Sequence, residues 1–319
     1  MADYNTHREF GSGDRICYHG VLDSFRNPKL SAAVYASQKT PRSPSDIVLE
    51  VSSSMALGDH PGGFAGACWV FTNAESVRLY RGNDFIAEFS PDRRGRFAAL
   101  PHPPIEVQDF VGSLLEKYEG LDPVVAPQVA AILNEMRRDA LSLSPLSRAR
   151  LLSLRLSWND LLRMYYKYIG VLGSPSSVYR FEAVWHGRTV RTVVREPVQS
   201  VRLECTVYNP LLTDGPTWDC AAVSLRAIDQ NGNFLPYCGE AVQLSVEGPV
   251  RILGPASCRC GAAWRAPTLP PPAGQAAPCS TAKWRARWTP KPCSRCASVL
   301  KSRPFMIDLH SVQSFIMFG

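Results

Sequence analysis

The sequence predicts a mainly β protein with a helical insert, organised as two immunoglobulin-like β-sandwiches. Three observations carry this. Over residues 46–104, and again over 176–254, short runs rich in Val, Phe, Tyr and Ile alternate with polar residues, the period of half-buried strands. Between them, over 105–172, the apolar spacing lengthens to three and four residues, which is the period of helices. Turn-forming clusters such as Gly82-Asn83-Asp84 and Asp229-Gln230-Asn231-Gly232-Asn233 punctuate the β regions, at the roughly ten-residue spacing that sandwich strands require.

Each element follows in order. L-S-A-A-V-Y-A-S-Q (Leu30 to Gln38) has helical spacing, and K-T-P-R-S-P-S (Lys39 to Ser45), with two prolines, reads as a linker. The strands of the first sandwich are I-V-L-E-V, A-C-W-V-F-T-N and V-R-L-Y-R-G-N-D-F-I-A-E-F, with a hairpin at Gly82-Asn83 where positive φ is tolerated. V-Q-D-F-V-G-S-L-L-E-K-Y begins the helical insert, and the next helix places Val125, Val129, Ile132, Leu133 and Met136 on one face. Ser144 with Pro145, and Ser157 before Trp158, have the form of helix starts, and Gly170 that of a helix stop. The cluster Leu161, Leu162, Tyr165, Tyr166, Tyr168 and Ile169 is expected to be a packing face and not a sugar-stacking platform. The second sandwich follows, from V-Y-R-F-E-A-V to A-V-Q-L-S-V.

Charge is unevenly placed along the 319 residues. The formal net charge is +7, but the stretch from Pro255 to Gly319 alone carries nine basic residues and one acid, Asp308, so the remainder sums to −1. A basic pI therefore says nothing about a nucleic-acid partner for the body, and none is expected. No run approaches the ~18 apolar residues of a membrane span, and no export signal is recognisable. The expectation is a soluble, cytoplasmic chain with no membrane partner. Cys17, Cys68, Cys205, Cys220 and Cys238 stand singly among apolar neighbours, as small core fillers do in a reducing compartment.

The stretch 255–319 departs from both periods. It holds nine of the 26 prolines and five of the ten cysteines, and it is expected to be disordered. Cys258-x-Cys260 and Cys293-x-x-Cys296 fall short of a zinc site, because the first pair has a single intervening residue and the second lacks knuckle glycines. Trp264, Trp284, Arg285, Arg287 and Trp288 could stack on nucleic-acid bases, but unusual composition accounts for them more simply. The abrupt change near Ala256 to Cys258 leads to the expectation that translation has left its original frame there.

Three stretches carry a family resemblance. D-Y-N-T-H followed by G-V-L-D and N-P-K-L-S-A-A-V-Y-A-S-Q resembles the last βα unit of the catalytic TIM barrel in bacterial glycoside hydrolase family 2 enzymes of the β-galactosidase type. A-C-W-V-F-T-N-A-E-S-V-R-L-Y-R-G-N-D is similar to the signature of the sandwich that follows that barrel. D-C-A-A-V-S-L-R-A-I-D-Q-N-G-N-F-L-P with V-Q-L-S-V-E-G-P-V-R-I-L-G is similar to the last immunoglobulin-like domain. They occur in family order and cover most of residues 3–254. The resemblance implies a C-terminal fragment. Its parts would be a barrel remnant at 1–40, a sandwich at 46–104, the helical insert at 105–172, a second sandwich at 176–254 and the tail at 255–319.

The implied reaction is retaining hydrolysis of terminal non-reducing β-glycosides by two carboxylates roughly 5 Å apart. In the family these follow the fourth and seventh barrel strands, which would lie before Met1. Neither catalytic residue is assigned here, and the chain is expected to be inactive alone, with no cofactor and no metal. Asp3, Asn5 and His7 have the hydrogen-bonding capacity that sugar hydroxyls need, and Tyr4 offers a stacking face, so these four are the candidate contacts to an oligosaccharide or β-galactoside. The bland alternative is a solvated ion-pair network of Asp3, Arg8, Glu9, Asp14 and Arg15 that only shapes the loop; His19 reads as structural. The rival function is a non-catalytic carbohydrate-binding or structural β-sandwich protein.

Overall fold

The computed structural model describes residues 1–5, 16–23, 26–52, 67–139, 141–169, 178–208, 220–235, 241–247, 257–259, 263–267, 283–288 and 305–308. They are mainly β, in antiparallel sheets, with five short α-helices. Two compact units divide at Pro197 and Val198.

In the first unit, β1 (Tyr4–Asn5) pairs antiparallel with β2 (Ile16–Cys17), and Ala2 forms a parallel bridge to Leu22. Helix α1 (Leu30–Ala36) follows and buries none of its residues. The segment read as a linker is docked instead. Gln38 donates to the His102 carbonyl at 2.9 Å and accepts from the His102 N–H at 3.0 Å, while the Asn73 amide donates to the Lys39 carbonyl at 2.9 Å. Its prolines suited it to this irregular path, and Pro44 opens a single 3-10 turn, Pro44–Asp46. Long-range side-chain bonds of this kind leave no local sequence signal.

Strands β3 (Leu49–Val51), β4 (Trp69–Thr72), β5 (Ser76–Arg81), β6 (Asp84–Phe89) and β7 (Ile105–Glu106) form where alternation predicts. The β5–β6 hairpin turns at Gly82-Asn83, with Arg81 opposite Asp84 and Gly82 at φ 59°. The helices are α2 (Leu114–Glu119), α3 (Ala126–Arg138), α4 (Pro145–Ser153) and α5 (Trp158–Tyr168). Ser144 caps α4 by accepting from the Ser147 N–H at 3.2 Å, and Ser157 caps α5 from the Asp160 N–H at 3.1 Å, which satisfies donors with no partner inside the helix. The Gly170 stop lies outside the described residues. On α3 the expected face is buried at Val129, Ile132, Leu133 and Met136; on α5 Leu161, Tyr165, Tyr168 and the following Ile169 are buried, and Tyr166 faces out.

The helical period read from Val107 begins later. Residues 107–113 form a loop, because the Asp109 carboxylate accepts from the Val111 and Gly112 N–H groups at 2.9 and 3.1 Å and so offers the backbone a turn in place of a helix. Gly112 has φ 51°, and a Cβ there would lie 2.6 Å from the Ile86 carbonyl oxygen. Buried Asn134 of α3 completes the loop, accepting from the Phe110 N–H at 2.9 Å and donating to Asp109 at 2.7 Å.

A second correction concerns the domain boundary expected at 176. Strands β8 (Tyr179–Trp185) and β9 (Arg188–Arg195) join the first unit in the order β6-β5-β8-β9, beside a second sheet β3-β4-β7. Leu79 lies opposite Phe181 and Arg81 opposite Tyr179. Strand β8 pairs the backbone edge of β5 that β6 leaves open, and its Tyr179, Phe181 and Ala183 are buried with Val77 and Leu79. The helices therefore interrupt one module: both sheets and α2, α3 and α5 contribute to a single apolar cluster.

In the second unit, β10 (Val201–Tyr208) pairs with β11 (Cys220–Asp229) over eight residue pairs. The predicted Asp229 turn forms, with the buried Asp229 carboxylate accepting from the Asn231 and Asn233 N–H groups at 2.9 and 2.7 Å and Gly232 at φ 81°. Strand β12 (Ala241–Glu247) lies in another sheet. The expected disorder after residue 255 does not hold at β13 (Ser257–Arg259), β14 (Ala263–Pro267), β15 (Lys283–Trp288) and β16 (Phe305–Asp308). There β14 pairs with β11, and β13 and β15 flank β12. K-W-R-A-R-W does alternate with period two, a signal masked by the surrounding prolines, and the open edges of β11 and β12 accept such segments. Cys17 and Cys68 are buried as expected, and burial pushes the Cys205 thiol up to about 11. The side chains of Cys220 and Cys238, and the tail cysteine pairs apart from the backbone of Cys258, lie outside the described residues.

Candidate substrate-facing loop

The loop between β1 and β2 is tied at its base by Asp3. This carboxylate is 3% exposed; its Oδ1 accepts from the Gly20 N–H at 2.9 Å and from the Lys29 ammonium at 2.7 Å. The Asp3 N–H donates to the Leu22 carbonyl at 2.9 Å. Lys29 Nζ also donates to the Tyr18 carbonyl at 3.1 Å and lies 5.9 Å from the Tyr18 ring centre. Three chain segments thus meet at one buried charge. Glycine is required at position 20, because a Cβ would fall 2.3 Å from the Asp3 nitrogen.

The four sequence candidates separate on this frame. Asp3 is internal, held by Gly20 and Lys29. Tyr4 is 51% exposed, and the Cys17 thiol beside its hydroxyl holds the phenol above its ordinary value. Asn5 has its backbone paired with Ile16, its side chain lying outside the described residues, and His7 lies outside them altogether. Sequence reasoning missed Lys29, Gly20 and the exposed Tyr18. The signal was available in part: an acid among apolar neighbours needs a cation, and Lys29 follows the only proline of the segment.

Two exposed aromatic rings adjoin this frame: the Tyr4 hydroxyl lies beside Cys17, and the Tyr18 ring lies 5.9 Å from the Lys29 ammonium. Such an arrangement suits an uncharged polar ligand that stacks on a ring and hydrogen-bonds at its edge.

Curated relatives decide the kinship. The chain is 28% identical over 256 residues to a β-galactosidase of Thermoanaerobacterium thermosulfurigenes, covering 79% of this chain and 28% of that protein. It is 29% identical over 252 residues to a β-galactosidase of Thermoanaerobacter pseudethanolicus, covering 79% of this chain and 26% of that one. The chain is similar in sequence to bacterial β-galactosidases. No protein-family profile matches this chain. Its fold is similar to that of a β-glycosidase from Bacteroides vulgatus, with a TM-score of 0.52 at 13% identity, covering 97% of this chain and 30% of that one. The likeness to β-galactosidases read from the motifs is matched by these relatives. The chain spans little more than a quarter of the length of the curated relatives it matches.

Proposed function

We propose that this chain is the C-terminal portion of a retaining family 2 β-galactosidase acting on terminal non-reducing β-galactosides, with residues 1–40 closing the barrel. The observation that carries the reading is the match to β-galactosidases along 79% of this chain against 28% of the relative's length. In this reading Tyr4, Asn5 and His7 contact the sugar while Asp3 holds their loop from beneath. Nucleophile and acid/base are supplied by polypeptide outside residues 1–319, so the chain alone does not hydrolyse glycosides.

A chimera tests this. Residues 1–254 replace the segment they match in the Thermoanaerobacterium β-galactosidase. The folded chimera is expected to hydrolyse an aryl β-galactoside, and the isolated chain is not. A folded but inactive chimera, or turnover by the isolated chain above an Asp3→Ala/His7→Ala control, would overturn the proposal.

A further inference from the structure

Helix α4 is held by its base and turned outward. Of its nine residues Ser147 alone is buried, while Leu146 is 61% and Leu152 79% exposed. At about 100° per residue, Ser147 and the half-buried Leu151 face the body; Leu152, Ala149 and Leu146 then span an arc of about 120° facing away. Arg148 borders one edge of that arc and Arg150 the other, and both are exposed. Past the helix end, Arg155 and Trp158, the latter 44% exposed, are also open to solvent. Residues 140–159 contain three arginines and no acid. Among the described residues no ion pair engages any of these arginines.

We propose that the outward face of α4 docks reversibly on an anionic lipid surface. A helix lying in a bilayer interface needs an apolar centre to enter the acyl boundary and cations on both flanks at headgroup depth. Leu146, Ala149 and Leu152 between Arg148 and Arg150 have that order, with Trp158 suited to the same boundary. A second copy packed on this face would set arginine against arginine. A phosphate backbone would use the arginines but leave both leucines in water. This is surface contact only: among the described residues no helix is long and apolar enough to cross a membrane. It differs from the sequence-based expectation of no membrane partner, which rested on the lack of a spanning run.

Flotation of the full chain with phosphatidylcholine vesicles, with and without about 30% phosphatidylglycerol, tests it at low and high salt. Binding is expected to be about tenfold stronger to the anionic vesicles and to fall about fivefold at high salt. Leu146→Ser/Leu152→Ser and Arg148→Glu/Arg150→Glu should each weaken it about tenfold, with unchanged thermal unfolding because these side chains are exposed. No preference for anionic vesicles, binding unchanged in both variants, or retention on an acidic protein resin without vesicle binding would each overturn the proposal.

Discussion

Lys29 Nζ lies 2.7 Å from Asp3 Oδ1, and this ion pair joins residues 26 positions apart across the base of the β1–β2 loop. The Asp3 side chain is 2% exposed and that of Lys29 31%, so the acid is internal and its cation reaches it from the surface. Removing the cation leaves a buried carboxylate with one backbone donor. Lys29→Met should therefore loosen residues 1–29 by about 2 kcal/mol. Lys29→Arg should recover part of that, because charge is kept but the single-point geometry is not. Hydrogen exchange at the Asp3 and Gly20 amides reads both, and protection unchanged in Lys29→Met would show that the pair does not hold the loop.

Acid should release the helical insert before the strands. Glu119, at the end of α2, accepts from Lys167 at 2.6 Å, Tyr168 Oη at 2.8 Å and Arg163 at 3.0 Å of α5. These donors, Lys167 foremost, hold its carboxyl at about 2, below the ordinary 4.5. The folded value is depressed, so the stabilisation is complete above the unfolded value and is lost as pH falls from about 5 towards 2. Glu119→Gln should cost about 2 kcal/mol at neutral pH and flatten the profile across that window. Urea unfolding monitored by helical circular dichroism at several pH values is the measurement; parallel profiles for the two proteins would remove Glu119 from the account.

Gly112→Ala should destabilise the first unit by about 3 kcal/mol. Two costs combine: the left-handed φ of 51°, and a Cβ at 2.6 Å from the Ile86 carbonyl oxygen, a backbone atom that cannot swing away. Thermal unfolding compares it with Gly120→Ala, where φ is 64° but nothing lies within 4 Å of a Cβ. The second variant should cost about 1 kcal/mol. Equal losses would show that close approach to β6 plays no part.

Asn134 is the only described α3 side chain that binds the 107–113 loop at both Phe110 and Asp109. Asn134→Ala should cost about 3 kcal/mol, since it leaves a buried N–H without its acceptor. Asn134→Asp should cost more at neutral pH than at pH 4, because the new carboxylate would stand against Asp109. Chemical denaturation at the two pH values distinguishes the variants, and a neutral Asn134→Ala would mean that water replaces the amide.

Strands, helices and turns were legible where one local rule acted alone. Alternation marks β4, β5, β8 and β10, Ser144 and Ser157 cap the helices they precede, and Gly82-Asn83 and the Asp229 turn occur where positive φ and Asx chemistry place them. These are matters of backbone preference and side-chain period within a few residues. Family kinship was legible for the same reason, because its motifs are short and contiguous. Pairing was not: whether β8 continues the first module or opens a second depends on its hydrogen bonding to β5, a hundred residues earlier in the chain. The loop at 107–113 has helical spacing but yields to Asn134, 24 residues beyond Phe110. Asp3 shows the division most plainly. Its sequence setting offered a sugar ligand or a solvated ion pair, and only the folded chain, by bringing Gly20 and Lys29 to one oxygen, made it an internal anchor. The sequence by itself determined the kind of those elements that a local rule governs, and the residues able to do chemistry. The tertiary structure decided which edges pair and which charges are buried, because those depend on partners that local sequence does not contain.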